Sequence, residues 1–320
     1  MKQNENFIGW QIIWWLFTIL GIPITLPWLI YNLHDIIMYK SRKAILRGKI
    51  VMITGASSGL GEALAHVFYS CGCRLILISR RKQELQRVKD ALLNTHHTVP
   101  TQVPVILPLD LTEINSLPVE VAKVLKMYGR IDILINNAGI SYRGEVIDTK
   151  VDVDIKVMLI NYFSQVALTK AVLPCMVKQN FGYIVYTSSI QGKVAIPFRS
   201  AYAASKHALQ AWCDSARAEL STKNIKMTIV NPGYIHTALS LNALTSNGQQ
   251  YGIMDETTKN GYSPKYIADK VLKAMLREDK EITIATFNQK IAILLRVLVP
   301  SVYFWIMQLR KPKIFLQKLR

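Results

Sequence analysis

Tyr202 and Lys206 stand four positions apart in the segment Y-A-A-S-K, whose composition favours a helix. Side chains with this spacing lie on the same face of a helix. A phenol with an ordinary pKa of about 10 is a weak base at neutral pH, but a neighbouring ammonium group favours the phenolate and lowers that pKa. The pair could therefore move a proton to or from a substrate oxygen. An ordinary pair on a surface helix is the alternative interpretation.

Ser189 precedes Tyr202 by 13 residues and ends the apolar run Y-I-V-Y-T-S-S. A hydroxyl at the end of a strand can donate a hydrogen bond to a substrate carbonyl and stabilise the negative charge that develops on its oxygen. Ser189 is therefore the candidate substrate-binding residue beside the Tyr202 phenol.

A glycine-rich loop, T-G-A-S-S-G-L-G, follows the first apolar run, residues 50–54. Glycines between a strand and a helix let the backbone turn tightly and approach a pyrophosphate, which binds the free N–H groups of the helix start. A plain strand-to-helix turn is the alternative, but the order of strand, loop and helix favours a dinucleotide site. Its candidate residues are Gly55, Ser57, Ser58, Gly59, Leu60 and Gly61.

The second apolar run ends in I-S-R-R-K, with no acidic residue nearby. A site specific for NAD usually has a carboxylate here, which accepts hydrogen bonds from the ribose 2′-hydroxyl. The guanidinium of Arg80 can instead bind a 2′-phosphate through two hydrogen bonds. The sequence therefore predicts NADP(H) as the preferred cofactor and NAD(H) as the less favoured one, with Arg81 and Lys82 interpreted as solvated loop residues.

Short apolar runs alternate with helical patterns between residue 48 and about residue 285. This alternation predicts one α/β domain with a doubly wound parallel sheet of about seven strands and helices on both faces. The predicted strands are residues 50–54, 74–79, 103–109, 133–136, 183–187, 226–230 and 282–285, and the named helices are residues 60–69, 117–127, 153–177, 202–220 and 264–277. Residues 234–263, rich in Asn, Thr and Gly, are predicted to be an irregular insertion at the ligand-binding edge.

These motifs together resemble the short-chain dehydrogenase/reductase family, in its compact subclass. The resemblance covers roughly residues 48–280 and comprises T-G-x3-G-x-G, N-N-A-G at residues 136–139, Asn161, Ser189, Y-x3-K and N-P-G at residues 231–233. It implies a Rossmann-type fold and an oxidoreductase that transfers hydride between NADP(H) and a carbonyl or hydroxyl group. It also makes a homodimer an expectation.

The resemblance assigns roles to individual residues. Asn161, Ser189, Tyr202 and Lys206 match the family's catalytic tetrad, in which Tyr202 exchanges the proton, Ser189 polarises the carbonyl, Lys206 binds the nicotinamide ribose beside Tyr202, and Asn161 holds a water that relays protons. Asp110 matches the adenine contact, Asn137 the adenosine ribose contact, and Ile235 and Thr237 the contacts to the carboxamide and phosphates. Taken alone, Asp110 could equally cap a helix, and the Asn161 amide could simply bond a neighbouring carbonyl.

The net charge of +18 is compatible with an acidic partner, but only 19% of the residues are charged and 50% are hydrophobic, which excludes a disordered basic tail. Residues 1–48 carry +3, residues 49–280 carry +9 and residues 281–320 carry +6, so half of the excess lies in the terminal segments. No nucleic-acid-binding signature accompanies this charge, and no histidine or cysteine spacing predicts a metal. A membrane is therefore the expected partner.

Residues 7–33 contain no charged residue and, as a helix, would be about 40 Å long, against roughly 30 Å of hydrocarbon in a bilayer. The sequence predicts an N-terminal membrane anchor in residues 1–47, either a kinked span or a re-entrant hairpin because of Pro23 and Pro27. Basic residues after the apolar run predict that the catalytic domain is cytosolic, with the endoplasmic reticulum as the expected membrane.

The apolar run of residues 291–309 is interrupted by Arg296 and Pro300 and precedes a basic tail. This pattern favours a helix lying on a membrane surface, with a helix packed on the domain as the alternative.

The predicted organisation is thus an anchor at residues 1–47, a catalytic domain at residues 48–285 and a membrane-associated segment at residues 286–320. The expected function is a membrane-bound reductase of lipophilic carbonyls in lipid metabolism. Two alternatives are a non-catalytic membrane scaffold or lipid-binding protein with the same fold, and an NAD-dependent oxidative enzyme in a lumenal compartment.

Overall fold

The computed structural model describes Trp14, Thr18 and residues 21–318. The backbone divides into two compact units, residues 1–45 and Leu46–Arg320. In the first unit, helix α1 spans Ile22–Ala44 and has Pro27 in its interior. Of the anchor predicted at residues 1–47, residues 1–13, 15–17 and 19–20 lie outside the described residues. In the part of the chain that is described, no helix is both long and apolar enough to cross a bilayer.

The second unit alternates strands and helices. Its strands are β1 (Ile50–Thr54), β2 (Arg74–Ser79), β3 (Val105–Pro108), β4 (Ile133–Asn136), β5 (Tyr142–Arg143), β6 (Gly182–Thr187), β7 (Ile225–Pro232), β8 (Leu244–Thr245) and β9 (Glu281–Ile284). Its α-helices are α2 (Gly59–Tyr69), α3 (Lys82–Thr95), α4 (Leu117–Tyr128), α5 (Val151–Met158), α6 (Ser164–Lys178), α7 (Ser200–Glu219), α8 (Glu256–Lys259), α9 (Pro264–Arg277), α10 (Phe287–Leu298) and α11 (Pro300–Lys318).

Seven strands form one parallel sheet in the order β3-β2-β1-β4-β6-β7-β9. All five residues of β1 are buried, which explains why it is an unbroken apolar run rather than an alternating one. Strand order reverses between β1 and β4, so the loops that follow these two strands diverge and leave a crevice at the carboxyl edge of the sheet. This is the predicted doubly wound fold, and each predicted strand lies in the sheet.

The structure differs from the predicted elements in two places that matter for the site. The helix predicted for residues 153–177 is divided into α5 and α6 by a π-helical turn at Leu159–Phe163. In addition, the short strands β5 and β8 pair in parallel, which was not predicted. This pairing attaches the irregular segment of residues 234–263 above α5 and α7, where Tyr142 packs against Val157 and Tyr202.

A buried carboxylate joins strands at the opposite, amino edge of the sheet. Asp132 is 1% exposed, and its Oδ2 accepts a hydrogen bond from the backbone N–H of Ile50 at 2.9 Å. The same side chain pairs with Arg130 at 2.5 Å and with Lys49 at 3.7 Å. A buried carboxylate is tolerated because it is hydrogen-bonded and paired in this way. Asp132 therefore fixes the start of β1 beside the start of β4.

Replacing this carboxylate is expected to destabilise the fold. Asp132→Ala removes the acceptor of the Ile50 N–H and should lower the free energy of unfolding by about 1.5–3 kcal/mol, the range for hydrogen bonds to charged groups. Asp132→Asn keeps an acceptor oxygen and should cost less. Denaturant unfolding of both variants measures the difference, and equal stability of Asp132→Ala and wild type would contradict the role assigned to Asp132.

Candidate active site

Helix α7 carries Tyr202 and Lys206 on the face that is turned toward the sheet. Both side chains are buried, and Lys206 Nζ lies 5.7 Å from the centroid of the Tyr202 ring. The Lys206 ammonium donates to the carbonyl oxygen of Thr187, the last residue of β6, at 2.8 Å. Burial lowers the pKa of Lys206 to about 8. The predicted pair thus lies on one helix face at the carboxyl edge of the sheet.

Ser189 follows β6 and lies beside the Tyr202 phenol. Its hydroxyl accepts a hydrogen bond from the backbone N–H of Gln191 at 3.1 Å, which begins a short 3₁₀ turn. Burial raises the pKa of Tyr202, and a hydrogen bond with Ser189 opposes that shift. Two hydroxyl groups therefore converge at one point next to a buried ammonium, an arrangement that can hold a carbonyl oxygen.

Asn161 lies in the π-helical turn, and its amide is occupied by neighbours. Its Oδ1 accepts from the backbone N–H of Ile140 at 2.8 Å, and its Nδ2 donates to the Ile140 carbonyl at 2.9 Å and to Ser205 Oγ at 3.0 Å. The amide of Asn161 therefore bonds neighbouring backbone groups, which is the alternative that the sequence left open for this residue. The side chain fixes the loop after β4 against α7, so the proposed water relay would have to use groups of Asn161 other than its amide.

A buried cluster of charged side chains acts electrostatically on Tyr202. Arg143 Nε and Nη2 donate to Asp255 Oδ2 at 2.9 and 2.5 Å, and Arg199 Nη2 lies 3.4 Å from the same oxygen. Arg143 and Arg199 are only 6% and 8% exposed. Two guanidinium groups thus share a single carboxylate, which leaves the cluster with an excess of positive charge.

This excess charge acts on two neighbouring groups. Burial, followed by the charge of Arg143, lowers the pKa of Arg199 to about 10, against the opposing effect of Asp255. The charges of Arg143 and Arg199 also oppose the burial that raises the pKa of Tyr202. The sequence predicted that Lys206 would lower the pKa of Tyr202. That direction was wrong, because burial raises this pKa, and the opposing effects come from Ser189, Arg143 and Arg199.

The glycine-rich loop has the geometry of a dinucleotide cradle. Gly55 and Gly59 have φ angles of +65° and +58°, a region that side chains disfavour. A Cβ on Gly61 would collide with the carbonyl oxygen of Gly55 and lie 2.8 Å from Asn137 Nδ2. The helix α2 begins at Gly59, and Ser58 at its N-cap makes no side-chain capping bond. The free N–H groups of this helix start therefore fit the pyrophosphate of a nicotinamide dinucleotide.

Two arginines, Arg80 and Arg81, follow β2 near this loop. Arg80 has a side chain that is 63% exposed and lies 3.9 Å from Asp110. Arg81 was interpreted as a solvated residue, but its Nη2 donates to the hydroxyls of Ser57 and Ser58, each at 2.9 Å. Arg81 is exposed, as a solvated residue would be, and its two hydrogen bonds also hold the glycine-rich loop.

The remaining predicted cofactor residues surround the same crevice. Asp110 Oδ1 accepts from the N–H and hydroxyl of Thr112 at 3.0 and 2.9 Å, and these bonds, against burial, lower the pKa of Asp110. Asn137 Nδ2 donates to the carbonyl of Thr54 at 3.0 Å. Thr237 lies against the loop, since a Cβ on Gly59 would be 3.0 Å from its Cγ2. Ile235, two residues earlier, pairs with Tyr262 through an isolated bridge.

Asp255 and Arg81 are the site residues that were missed from the sequence. Asp255 meets Arg143 and Arg199 across 112 and 56 positions, and no spacing rule connects them. Arg81 could have been found from its place beside Arg80 at the end of β2. Among the residues that the structure describes, no group of three or more histidine, cysteine, aspartate or glutamate side chains lies close enough to hold a metal.

Known proteins resemble this chain over most of its length. Dehydrogenase/reductase SDR family protein 7-like of Anopheles gambiae is 54% identical over 314 residues, which cover 98% of this chain and 99% of that protein. Dehydrogenase/reductase SDR family member 7B of Bos taurus is 44% identical over 285 residues, which cover 89% of this chain and 88% of that protein.

Solved structures agree with these relatives. A short-chain dehydrogenase from Streptomyces avermitilis matches with a TM-score of 0.68 and 27% identity over 83% of this chain and 97% of that one. A metagenomic short-chain oxidoreductase in complex with NADP matches with a TM-score of 0.61 and 26% identity over 75% and 97%. The family model described as short chain dehydrogenase matches residues 49–247. The chain is therefore a member of the short-chain dehydrogenase/reductase family of oxidoreductases, whose fold implies a nicotinamide cofactor.

Proposed function

We propose that this protein is a membrane-associated, NADPH-dependent reductase that acts on the carbonyl group of a lipophilic substrate. The observation that carries the reductase assignment is the buried Tyr202 phenol, hydrogen-bonded with Ser189 and close to the ammonium of Lys206. Burial keeps this phenol protonated at neutral pH, and the protonated phenol is the form that can donate a proton to a carbonyl oxygen.

In the proposed mechanism the chain holds the carbonyl and supplies the proton. The cofactor, when bound, supplies the hydride in reduction and accepts it in oxidation. Ser189 donates a hydrogen bond to the substrate oxygen, and Tyr202 donates its proton to the same atom as negative charge develops there. Lys206 Nζ lies near the phenol ring, and the positive charges of Arg143 and Arg199 oppose the rise in the pKa of Tyr202. The burial of all these groups limits the access of water to the reacting atoms.

Apolar and basic residues at both ends of the chain support the proposed membrane association and the proposed lipophilic substrate. Residues 7–33 are free of charge and are followed by a basic flank. Helices α10 and α11 add an exposed apolar surface, which contains Val297, Leu298, Phe304, Trp305 and Leu309. Exposed apolar side chains beside basic residues suit contact with a lipid surface. A lipophilic ketone or aldehyde that partitions into that membrane would reach such an enzyme at high local concentration.

The second candidate function is a non-catalytic membrane scaffold or lipid-binding protein. Loss of a proton-transfer residue would favour it, whereas Asn161, Ser189, Tyr202 and Lys206 are all present. NADPH consumption with any lipophilic carbonyl would decide against it.

Removal of one hydroxyl tests the role of Tyr202. Tyr202→Phe should lower kcat for carbonyl reduction at least about 100-fold, a typical contribution of general acid catalysis. NADPH binding, measured by fluorescence titration, should be retained. Tyr186→Phe, which removes another buried phenolic hydroxyl, bonded to Thr169, is the matched control and should keep turnover. Wild-type turnover by Tyr202→Phe would show that Tyr202 does not supply the proton.

The raised pKa of Tyr202 predicts different pH responses for reduction and for oxidation. Reduction needs the phenol and should change little around neutral pH, whereas alcohol oxidation needs the phenolate and should increase as the pH rises. Arg199→Gln removes a charge that opposes the raised pKa, so its oxidation profile should move to higher pH. Lys170→Gln, at an exposed position on α6, removes a positive charge that is not among those acting on Tyr202 and should leave the profile in place. An unmoved profile for Arg199→Gln would contradict the electrostatic role of the cluster.

The two arginines after β2 should affect the cofactors differently. Arg80→Gln should raise KM for NADPH roughly 10- to 100-fold, the value of one charge-assisted contact with a phosphate, and leave KM for NADH nearly unchanged. Arg81→Gln removes the hydrogen bonds to Ser57 and Ser58 and should raise KM for both NADPH and NADH. Lys82→Gln, at the start of α3, is the control and should change neither value. Equal effects of Arg80→Gln on NADPH and NADH would argue against a contact with the 2′-phosphate.

A further inference from the structure

A basic cleft of about 330 Å³ lies between helix α9, strand β9 and the start of helix α10. Four basic side chains and one carboxylate are among the described residues that line it: Lys270, Lys273, Arg277, Lys290 and Asp279. Ser189 and Tyr202 are not among the lining residues, so the cleft is separate from the site of the proposed proton transfer. A cleft lined mainly by charges of one sign attracts ligands of the opposite sign, and this one therefore favours an anion.

The spacing of the basic residues places them on one face of α9. Lys270, Lys273 and Arg277 follow one another at intervals of three and four residues, so their side chains lie along the same side of the helix. Tyr266 begins this face one turn earlier, and Lys270 Nζ lies 5.4 Å from the centroid of its ring. The ring of Tyr262 stacks on that of Tyr266, with centroids 5.5 Å apart. The stacked rings and the cation–π contact hold Lys270 against the wall of the cleft.

The edge of the sheet and the start of α10 form the opposite wall. Strand β9 is the outermost strand of the parallel sheet, and residues 282–285, from β9 and the position after it, line the cleft. Lys290, one turn into α10, completes the set of cations. The N-terminus of a helix also carries a partial positive charge. An anion in the cleft would thus meet positive groups from two helices.

The exposed face of α10 continues from this cleft as hydrocarbon. Phe287, Lys290, Leu294, Val297 and Leu298 share this face at helical spacing. The exposed fraction is 77% for Phe287, 58% for Leu294 and 73% for both Val297 and Leu298. At a rise of about 1.5 Å per residue, the apolar surface extends about 12 Å beyond Lys290. A basic cleft that leads into an exposed apolar strip matches a molecule with an anionic head and a hydrocarbon body.

We propose that this cleft binds the phosphate group of an anionic phospholipid, while the exposed face of α10 lies among the acyl chains. The inference rests on the proposed membrane association and names the headgroup chemistry that fixes the catalytic domain against the lipid surface. Lysine and arginine side chains bind phosphate oxygens through charge-assisted hydrogen bonds. Inorganic phosphate or an acidic peptide would use the positive charge of the cleft but leave the apolar face of α10 uncovered. A phospholipid accounts for both features.

Calorimetric titration with dioctanoyl phosphatidic acid tests the cleft in the full-length protein, solubilised in a non-ionic detergent. Lys270→Gln combined with Lys290→Gln should weaken binding at least about tenfold, the effect of losing one charge-assisted contact with a phosphate. Both positions are exposed, so the fold should be kept, as thermal unfolding would show.

A second double variant separates a defined site from net charge. Lys126→Gln combined with Lys170→Gln removes the same charge from exposed positions on α4 and α6 that do not line the cleft. This control should bind dioctanoyl phosphatidic acid as the wild type does. Equal weakening in the two double variants would show that only the net charge of the protein attracts the lipid, and the proposal would be wrong.

Three further ligands distinguish the possible occupants. Dioctanoyl phosphatidylcholine, inorganic phosphate and tetraglutamate should each bind at least about tenfold more weakly than dioctanoyl phosphatidic acid, because each lacks either the net negative charge or the hydrocarbon. Equal binding of phosphatidylcholine would show that the charge of the headgroup is not recognised. Equal or tighter binding of inorganic phosphate or tetraglutamate would assign the cleft to a soluble anion or an acidic peptide. Each of these results overturns the proposal.

Reconstitution into vesicles separates this proposal from the proposed membrane association. Full-length protein that is held by its apolar segments should float with phosphatidylcholine vesicles. Including about one-fifth phosphatidic acid should then slow the acetylation of Lys270 and Lys290 severalfold, measured by mass spectrometry, and leave that of Lys126 and Lys170 unchanged. Flotation without this protection would retain the membrane association and overturn the cleft. Binding of dioctanoyl phosphatidic acid without flotation would support the cleft and contradict the membrane association.

Discussion

Lys206 holds its ammonium group in the protein interior, where Nζ donates to the carbonyl oxygen of Thr187 at 2.8 Å. A charged group in such surroundings is tolerated only where it is hydrogen-bonded, so α7 must lie where Lys206 can reach the end of β6. This constraint also fixes Tyr202, one helical turn earlier, beside Ser189, which follows Thr187 by two residues. The hydroxyl groups of Ser189 and Tyr202 are thus brought together by one hydrogen bond between a helix and a strand.

Positive charge surrounds this pair from several elements. Lys206 comes from α7, Arg143 from β5 and Arg199 from the residue before α7, while Asp255 supplies the one carboxylate that Arg143 and Arg199 share. Such an arrangement disfavours a further cation and favours an oxygen on which negative charge develops, because fixed charges in a buried site need little reorganisation. The pairing of β5 with β8 joins the strand that carries Arg143 to the segment that leads to Asp255.

The sequence predicted the sheet better than the charge cluster, for physical reasons. Buried parallel strands are short apolar runs, so residues 74–79 and 133–136 were predicted with the bounds that β2 and β4 have. Helix α9 was predicted with its observed bounds because Pro264 marks its first turn, where Ser263 Oγ accepts from the N–H of Tyr266. The π-helical turn at Leu159–Phe163 has no glycine or proline to mark it. Contacts such as that of Arg143 with Asp255 depend on tertiary packing, which leaves no periodicity in the sequence.

The two edges of the sheet differ in how completely their polar groups are satisfied. At the amino edge, Asp132 is paired and hydrogen-bonded, and it joins β1 to β4. At or after the carboxyl ends of strands, several buried polar atoms have no partner among the described residues, including Asn136 Oδ1, Gln191 Oε1 and Arg199 Nε. Unmatched polar atoms lower stability, and sites that must bind a ligand often keep such groups at that expense. Stabilising contacts at one edge can therefore offset the cost of an open, positively charged crevice at the other, and the same sheet connects the two.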